Sequence, residues 1–421
     1  MNLWARHMFE TSHNRNKSLR KWPYPYQAGI TISNDAEFMS FEFFETLMSY
    51  LNTQTETALG RGLGLEVTSS VFHYSANPYN FSVFGGAEPY AARSEHASRI
   101  EEYLRAGWID TLHAYGDFDH AGGFERIHAE NCLEHLKQIG VSIYAFTNHG
   151  GVENIQNVGQ DADYHRGDHK GHQAYHTDLW NDIGIRYVWT DSMVAHNLAT
   201  PPLSIRKRLT KFRHAFNGFT PKGYFLPQDS GVLKPIVLND KLEVYGFRRY
   251  RGTGANAPNL SSLGYQVSQI PWRKFYRDGE ALVIYQHFGV LDRLNGCCAP
   301  ASIEAVKQRP EMYLEPFRFL AKEFAEGRLW VLGCARFLDY IRLRDQIDVA
   351  YDNDGSVHLQ LKAIISNPQE ELQGVTIYID PINFRGLFIK GSQITVQNNG
   401  PDYTGRYSVT VPVQKLSNIW N

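Results

Sequence analysis

Residues able to do chemistry recur in this sequence directly after short apolar runs. "ITISNDAEF" leaves its apolar run at Asn34 and Asp35. "DTLHAYGDFDH", residues 110–120, carries His113, Asp117 and His120. "FTNHGG" offers Asn148 and His149, "IRYVWTD" ends in Asp191, and "VIYQHFG" presents His287. Imidazole suits zinc and other transition ions, and carboxylate suits harder ones. A mixed set therefore fits a divalent ion, zinc first, with cobalt, nickel or manganese as alternatives. His113 and Asp117 stand four apart, a spacing that can aim two side chains at one ion. His287 is the natural general acid or base, because imidazole titrates near neutrality. Each residue also has a plainer reading. Asp35 would cap a helix beginning near Met39. Asp117, Asp119 and His120 would solvate a loop, and His149 would be a buried structural histidine.

Two further stretches are conspicuous. "HRGDHKGHQAYH" (165–176) sets His165, His169, His172 and His176 at 4-3-4 spacing, but Gly167 and Gly171 interrupt any helix. It reads as a polar lid, and His176 is its best functional member because it opens the helical run "YHTDLWNDIG". "YGFRRYRGTG" carries Arg248, Arg249 and Arg251. One of them turned inward would bind an anionic substrate group or orient a carboxylate.

The elements that must position these residues alternate. "QAGITIS", "LGLEVTSSVF", "WIDTLHAYG", "VSIYAFTNHGG", "IRYVWTD" and "GEALVIYQHFG" read as strands. Helical patterns such as "FMSFEFFETLMSYLNTQ", "SEHASRIEEYLRAG" and "FERIHAENCLEHLKQIG" separate them. Such alternation predicts βα units around a largely parallel sheet. Asp35, His113, His149, Asp191 and His287 all fall at strand exits, which in an α/β barrel form the face where loops converge on a site. Beyond residue 344 the pattern changes to short strands split by turn clusters, "DNDG", "NPQ" and "NNGPD". The expected organisation is an α/β domain over 1–344 and a small antiparallel β domain over 345–421.

Composition narrows the function classes. The 421 residues carry a net charge of −2, which argues against nucleic acid as the main partner. Aromatics at 13% suit stacking on sugar rings as well as a large core. No apolar run approaches the roughly 20 residues of a membrane helix. The first residues are basic without a signal peptide's apolar stretch, so a cytoplasmic protein is expected. The four cysteines form no CxxC pair, so any metal is expected to use His and carboxylates. Self-association is left open.

The order of the pieces resembles the NodB-homology polysaccharide deacetylases, carbohydrate esterase family 4 and its outlying relatives, over roughly residues 26–290. "ISNDAEF" looks like the family's first motif, "LHAYGD" like its metal-binding motif, and "IYQHFG" like its last. "FTNHGG" and "GIRYVWTD" look like a branch found among surface-polysaccharide biosynthesis proteins. The resemblance implies a distorted (β/α) barrel of the polysaccharide deacetylase type, here with a small C-terminal all-β domain. It implies metal-assisted hydrolysis of an N-acyl group on a sugar or polysaccharide precursor. Asp35 and His113 would ligate the ion, with Asp117 or His120 completing the set, and His287 would be the acid. Asn34 stands where the family has its base aspartate, and an amide cannot accept that proton. Either Asp117 would be the third ligand, or His120 would be recruited and Asp117 would supply the missing base. Asn148, His149, His176, Asp191, Arg248 and Arg251 would contact substrate. Two other readings remain: a glycoside hydrolase using paired carboxylates such as Asp35 and Asp191, and a glycan-binding protein without activity.

Overall fold

The computed structural model describes residues 18–118, 123–150, 154–159, 165–190, 194–195, 231–252, 258–294 and 297–416. Its centre is a parallel-rich sheet. Eight of its strands are β1 (Ala28–Asn34), β2 (Ser69–Ser75), β3 (Ile109–His113), β4 (Ala145–Thr147), β5 (Tyr187–Trp189), β6 (Glu243–Phe247), β7 (Arg249–Tyr250) and β8 (Ala281–Gln286). They run in the order β7-β8-β1-β2-β3-β4-β5-β6, with every neighbouring pair parallel. β1 and β2 are buried at every residue, as strands covered on both faces must be. That is why "AGITISN" shows no clean alternation.

β6 and β7 lie at opposite ends of this path, yet only Arg248 separates them in the chain. One covalent step thus joins the two ends, and the sheet must curl. Curling draws the strand exits together, so residues far apart in sequence share one mouth.

Helices cover the outside. α1 (Phe41–Asn52) starts at Ser40, whose Oγ accepts a hydrogen bond from the Phe43 amide. Ser40, not Asp35, therefore caps this helix. α2 (Ala97–Arg105) and α3 (Arg126–Gln138) follow β2 and β3. Two residues beyond α3, Gly140 takes a left-handed φ of 70°.

The residues after 344 do form short strands. Ile347–Tyr351, Ser356–Leu361, Gly386–Ile389 and Ser392–Ile394 make one sheet, and Thr376–Tyr378, Ser408–Thr410 and Gln397–Asn399 make another. The expectation of purely antiparallel pairing needs correction, because Ser356–Leu361 and Gly386–Ile389 pair in parallel. Val357, Leu359, Leu387 and Val409 share one apolar cluster with Trp22, Tyr187, Phe247 and Val283 of the main sheet and its approach. α4 (Cys334–Arg344) contributes Phe337 and Leu338 to that cluster. No helix among the described residues is long and apolar enough to cross a membrane.

Candidate metal centre

Four strand exits and one loop meet at a buried polar cluster. β1 delivers Asp35 and the loop beyond it delivers Glu37. β3 ends in His113, β4 leads to His149, and β8 leads to His287. The registers explain the meeting. Asn34 is level with Gln286, and His113 is level with Thr147. Glu37 Oε1 lies 2.8 Å from His113 Nε2 and 3.5 Å from His149 Nε2. Glu37 Oε2 lies 3.9 Å from His287 Nε2, and Asp35 Oδ2 lies 4.0 Å from the same nitrogen. Among the described residues, two groups bring their donor atoms close enough to hold an ion: Glu37–His113–His149 and Asp35–Glu37–His287. Glu37 is common to both.

The backbone beside the cluster is held in unusual conformations. Phe38, directly after Glu37, and Ala114, directly after His113, both sit at φ 51°. Such left-handed residues without a glycine's freedom cost roughly 1–3 kcal/mol each. Gly289 has a related reason for its identity. A Cβ there would lie 2.2 Å from the Glu37 carbonyl oxygen, so only glycine lets the Glu37 loop pack against the His287 turn.

Arg249 organises the electrostatics. It is fully buried, donates to Asp35 Oδ1 at 2.7 Å and Oδ2 at 3.0 Å, and reaches Ser33 Oγ at 3.2 Å. Its guanidinium carbon lies 3.6 Å from the ring centroids of both Trp189 and Tyr285. This is a bidentate charge-assisted pair inside an aromatic clamp. Burial alone would push the Asp35 carboxyl up, but Arg249, then His113 and His287, hold it below the usual range. Burial likewise opposes ionisation of Glu37, yet the hydrogen bond from His113 and the charges of His287 and His149 outweigh it, and its carboxyl is lowered. Burial would lower His113, but Asp35 and Glu37 raise it. Two ionised carboxylates, Asp35 buried and Glu37 partly exposed, lined with imidazoles, make a donor set suited to a cation.

The donor set also passes a finer test. His113 Nδ1 lies 2.8 Å from Thr147 Oγ1, and that hydroxyl lies 3.4 Å from the Leu112 carbonyl. If Thr147 donates to the carbonyl, it accepts from His113 Nδ1–H. His113, raised by its carboxylate neighbours, also donates Nε2–H to Glu37 Oε1, and a bound ion would replace that Nε2 proton while Nδ1–H stays on Thr147. His287 is set the same way, with Nδ1 2.6 Å from the Pro258 carbonyl, which can only accept. These tautomers are assigned from the hydrogen-bond network.

Several expected site residues have other work. Asn34 is a buried clamp: Nδ2 donates to Ser69 Oγ at 2.7 Å, and Oδ1 accepts from the Phe288 amide at 2.7 Å. It ties β1 to β2 and to the His287 turn. Asp117 belongs to neither ion-holding group. It accepts from Asn80 Nδ2 at 2.9 Å, and Asn80 Oδ1 accepts from the Phe38 amide at 2.8 Å. Asp117 thus supports the Glu37 loop from behind, because its strand Gly116–Asp117 pairs with the end of β2 rather than facing the cluster. Asn148 spends its amide on both backbone groups of Val158, at 2.8 and 3.0 Å. His176 is fully buried among Tyr115, Phe124, Phe146 and Trp180. It is a core residue, and "HRGDHKGHQAYH" forms no histidine stripe, since its described part is turns leading to a single 3-10 turn, Thr177–Leu179. Arg248 points to the Gly231 carbonyl, and the inward arginine is its neighbour Arg249. Arg251 is half-buried in the loop after β7. His120 and Asp191 lie outside the described residues.

Glu37 is not among the residues expected from the sequence, although "NDAEF" contains it two residues beyond Asp35. Nor is the amide-rich "NIQN" run, where Asn154, Gln156 and Asn157 are all buried. Three amide side chains in four positions are the signal the sequence offers.

Comparison with known proteins adds nothing to these observations: no family model matches the chain, and no curated protein or solved structure matches it.

Proposed function

We propose that this chain is a metal-dependent hydrolase that removes an N-acyl group from a sugar or polysaccharide precursor, built on a (β/α) barrel of the polysaccharide deacetylase type. The observation that carries the reading is the meeting of Asp35, Glu37, His113 and His287, with Asp35 locked by Arg249. The curl that brings β6 and β7 into one continuous stretch of chain supports the barrel.

Glu37 and His113 would hold a divalent ion, zinc being the simplest choice for this donor set. When bound, the ion would polarise the acyl carbonyl and lower the pKa of a bound water. Asp35 takes the base role that Asn34 cannot fill. It is anionic, buried and held by a fork that leaves its outer lone pairs facing the histidines. His287, its Nδ1–H fixed on the Pro258 carbonyl, presents Nε2 to the same space and, as the imidazolium, would give its Nε2 proton to the leaving amine and be left neutral.

The test combines metal content with product. Protein purified without chelators is assayed by elemental analysis and then for acetate release from N-acetylated oligosaccharides and nucleotide-linked N-acetyl sugars. Stoichiometric metal and acetate release abolished in Glu37→Gln are expected. Metal-free protein that stays inactive after zinc, cobalt, nickel or manganese is added sinks the reading. New reducing ends without acetate would instead point to a glycosidase using Asp35 and Glu37 as its carboxylates.

A further inference from the structure

His149 is geometrically the third member of the Glu37–His113–His149 group, but its hydrogen bonds give it the wrong polarity for a ligand. A chain of buried amides, Gln156 then Asn154, sets that polarity. Gln156 Oε1 accepts the Tyr115 amide N–H at 2.9 Å, and Gln156 Nε2 donates to the Gly116 carbonyl at 2.8 Å. Backbone groups cannot exchange donor for acceptor, so the orientation of the Gln156 amide is fixed. Gln156 Nε2 also donates to Asn154 Oδ1 at 2.8 Å, which fixes Asn154 in turn. Asn154 Nδ2 then faces His149 Nδ1 at 3.2 Å. A side-chain amide nitrogen only donates, so His149 Nδ1 must accept. In the neutral ring the proton sits on Nε2, the nitrogen aimed at Glu37. Asn157 holds the backbone of His149 at both ends, at 3.0 and 2.7 Å, which fixes the point from which the ring reaches Asn154.

A metal on Nε2 of a neutral imidazole needs Nδ1–H and an acceptor opposite it. His113 meets that requirement with Thr147, and His287 meets it with the Pro258 carbonyl. His149 alone meets a donor. We infer that His149 is a positioning residue that donates Nε2–H to Glu37, and that the ion is held by Glu37 and His113 without it. Its consequence for the ligand set rests on the metal-site reading above, whereas the tautomer stands on the amide chain alone. The donated hydrogen bond would fix Glu37 Oε1 once an ion takes over His113 Nε2.

Two measurements on the full chain decide it. In protein carrying 15N-labelled histidine, metal-free at about pH 8, the His149 ring signals are assigned by their loss in His149→Gln. The Nε2–H tautomer is expected, and Nδ1–H overturns the inference. Asn154→Asp supplies an acceptor in place of the donor, so it should switch His149 to Nδ1–H. Zinc affinity is then read by competition with a chromophoric chelator. His113→Ala should lose more than about a hundredfold, His149→Ala no more than about threefold, and Asn154→Asp should gain about tenfold. Equal losses in the two histidine variants overturn the inference. A wild-type chain that takes up no zinc, manganese, cobalt or nickel sinks the metal reading instead, and the ring tautomer still decides the role of His149.

Discussion

Arg249 holds both carboxylate oxygens of Asp35, at 2.7 and 3.0 Å, across 214 positions of sequence. Both side chains are essentially without solvent contact. Neither charge is tolerable there alone. Arg249→Met should therefore destabilise the protein by roughly 3–5 kcal/mol, the usual cost of stranding a buried charge. The double variant Asp35→Asn/Arg249→Met should recover part of that loss, because no charge is then left unpaired. Urea unfolding of the three proteins checks this. A double variant no more stable than the single one would show that the pair is not coupled as the geometry indicates.

Glu37 is the residue both candidate groups share. Glu37→Gln keeps the size and removes the charge. Metal affinity should fall by more than the roughly 10–100-fold typical of losing an outer-shell partner. The circular dichroism spectrum should stay that of the parent, since the substitution is isosteric and the Glu37 side chain is partly exposed. Chelator competition gives the number, and retention of full affinity would remove Glu37 from the site.

Asn34 sits in the position where a base was sought, yet its amide is consumed by Ser69 and Phe288. Asn34→Ala leaves the buried Phe288 amide N–H without its acceptor and takes one of two hydrogen bonds from the Ser69 hydroxyl, which still donates to the Ser70 carbonyl. A loss of about 1–3 kcal/mol is expected, mostly from the stranded amide. Asn34→Asp should not raise the hydrolytic rate, because the new carboxylate would still face Phe288 and Ser69. A rate increase in Asn34→Asp would restore this position to the catalytic machinery.

His176 gives the protein an acid-sensitive core. Burial lowers its pKa to about 4, against an ordinary value near 6.5. The folded form thus binds its proton less readily than the unfolded chain. Stability from this residue is complete above about pH 6.5 and is lost as pH falls toward 4, by at most about 3 kcal/mol for a gap of about 2.5 pH units. His73, also lowered by burial, acts in the same direction. Thermal melts between pH 7 and about 4 should show this slope, and His176→Phe should flatten it. An unchanged slope in the variant would place the acid sensitivity elsewhere.

The sequence by itself determined the elements and much of the cast. Apolar runs ending in polar residues located β1, β3, β4, β5 and β8, because a strand buried on both faces must be apolar until it leaves the sheet. His113, Asp35 and His287 were readable at those exits for that reason. Their convergence follows from the parallel order, which places all exits at one end. The roles were not readable. Whether Asp35 binds metal or takes a proton depends on Arg249, and that contact arises only when the sheet curls and β7 meets β8 beside β1. Asp117 looked equivalent to a ligand at four-residue spacing, but helical spacing means little in a chain that runs as strand and turn there. Glu37 enters the site only because Phe38 adopts a left-handed backbone and Gly289 leaves room for it. Which nitrogen of each histidine carries the proton was decided furthest from the local sequence, by backbone groups at Tyr115, Gly116 and Pro258. Local composition sets which segments are buried. Hydrogen-bond polarity is set by whatever the tertiary fold places opposite, and that is where the chemistry of this site is decided.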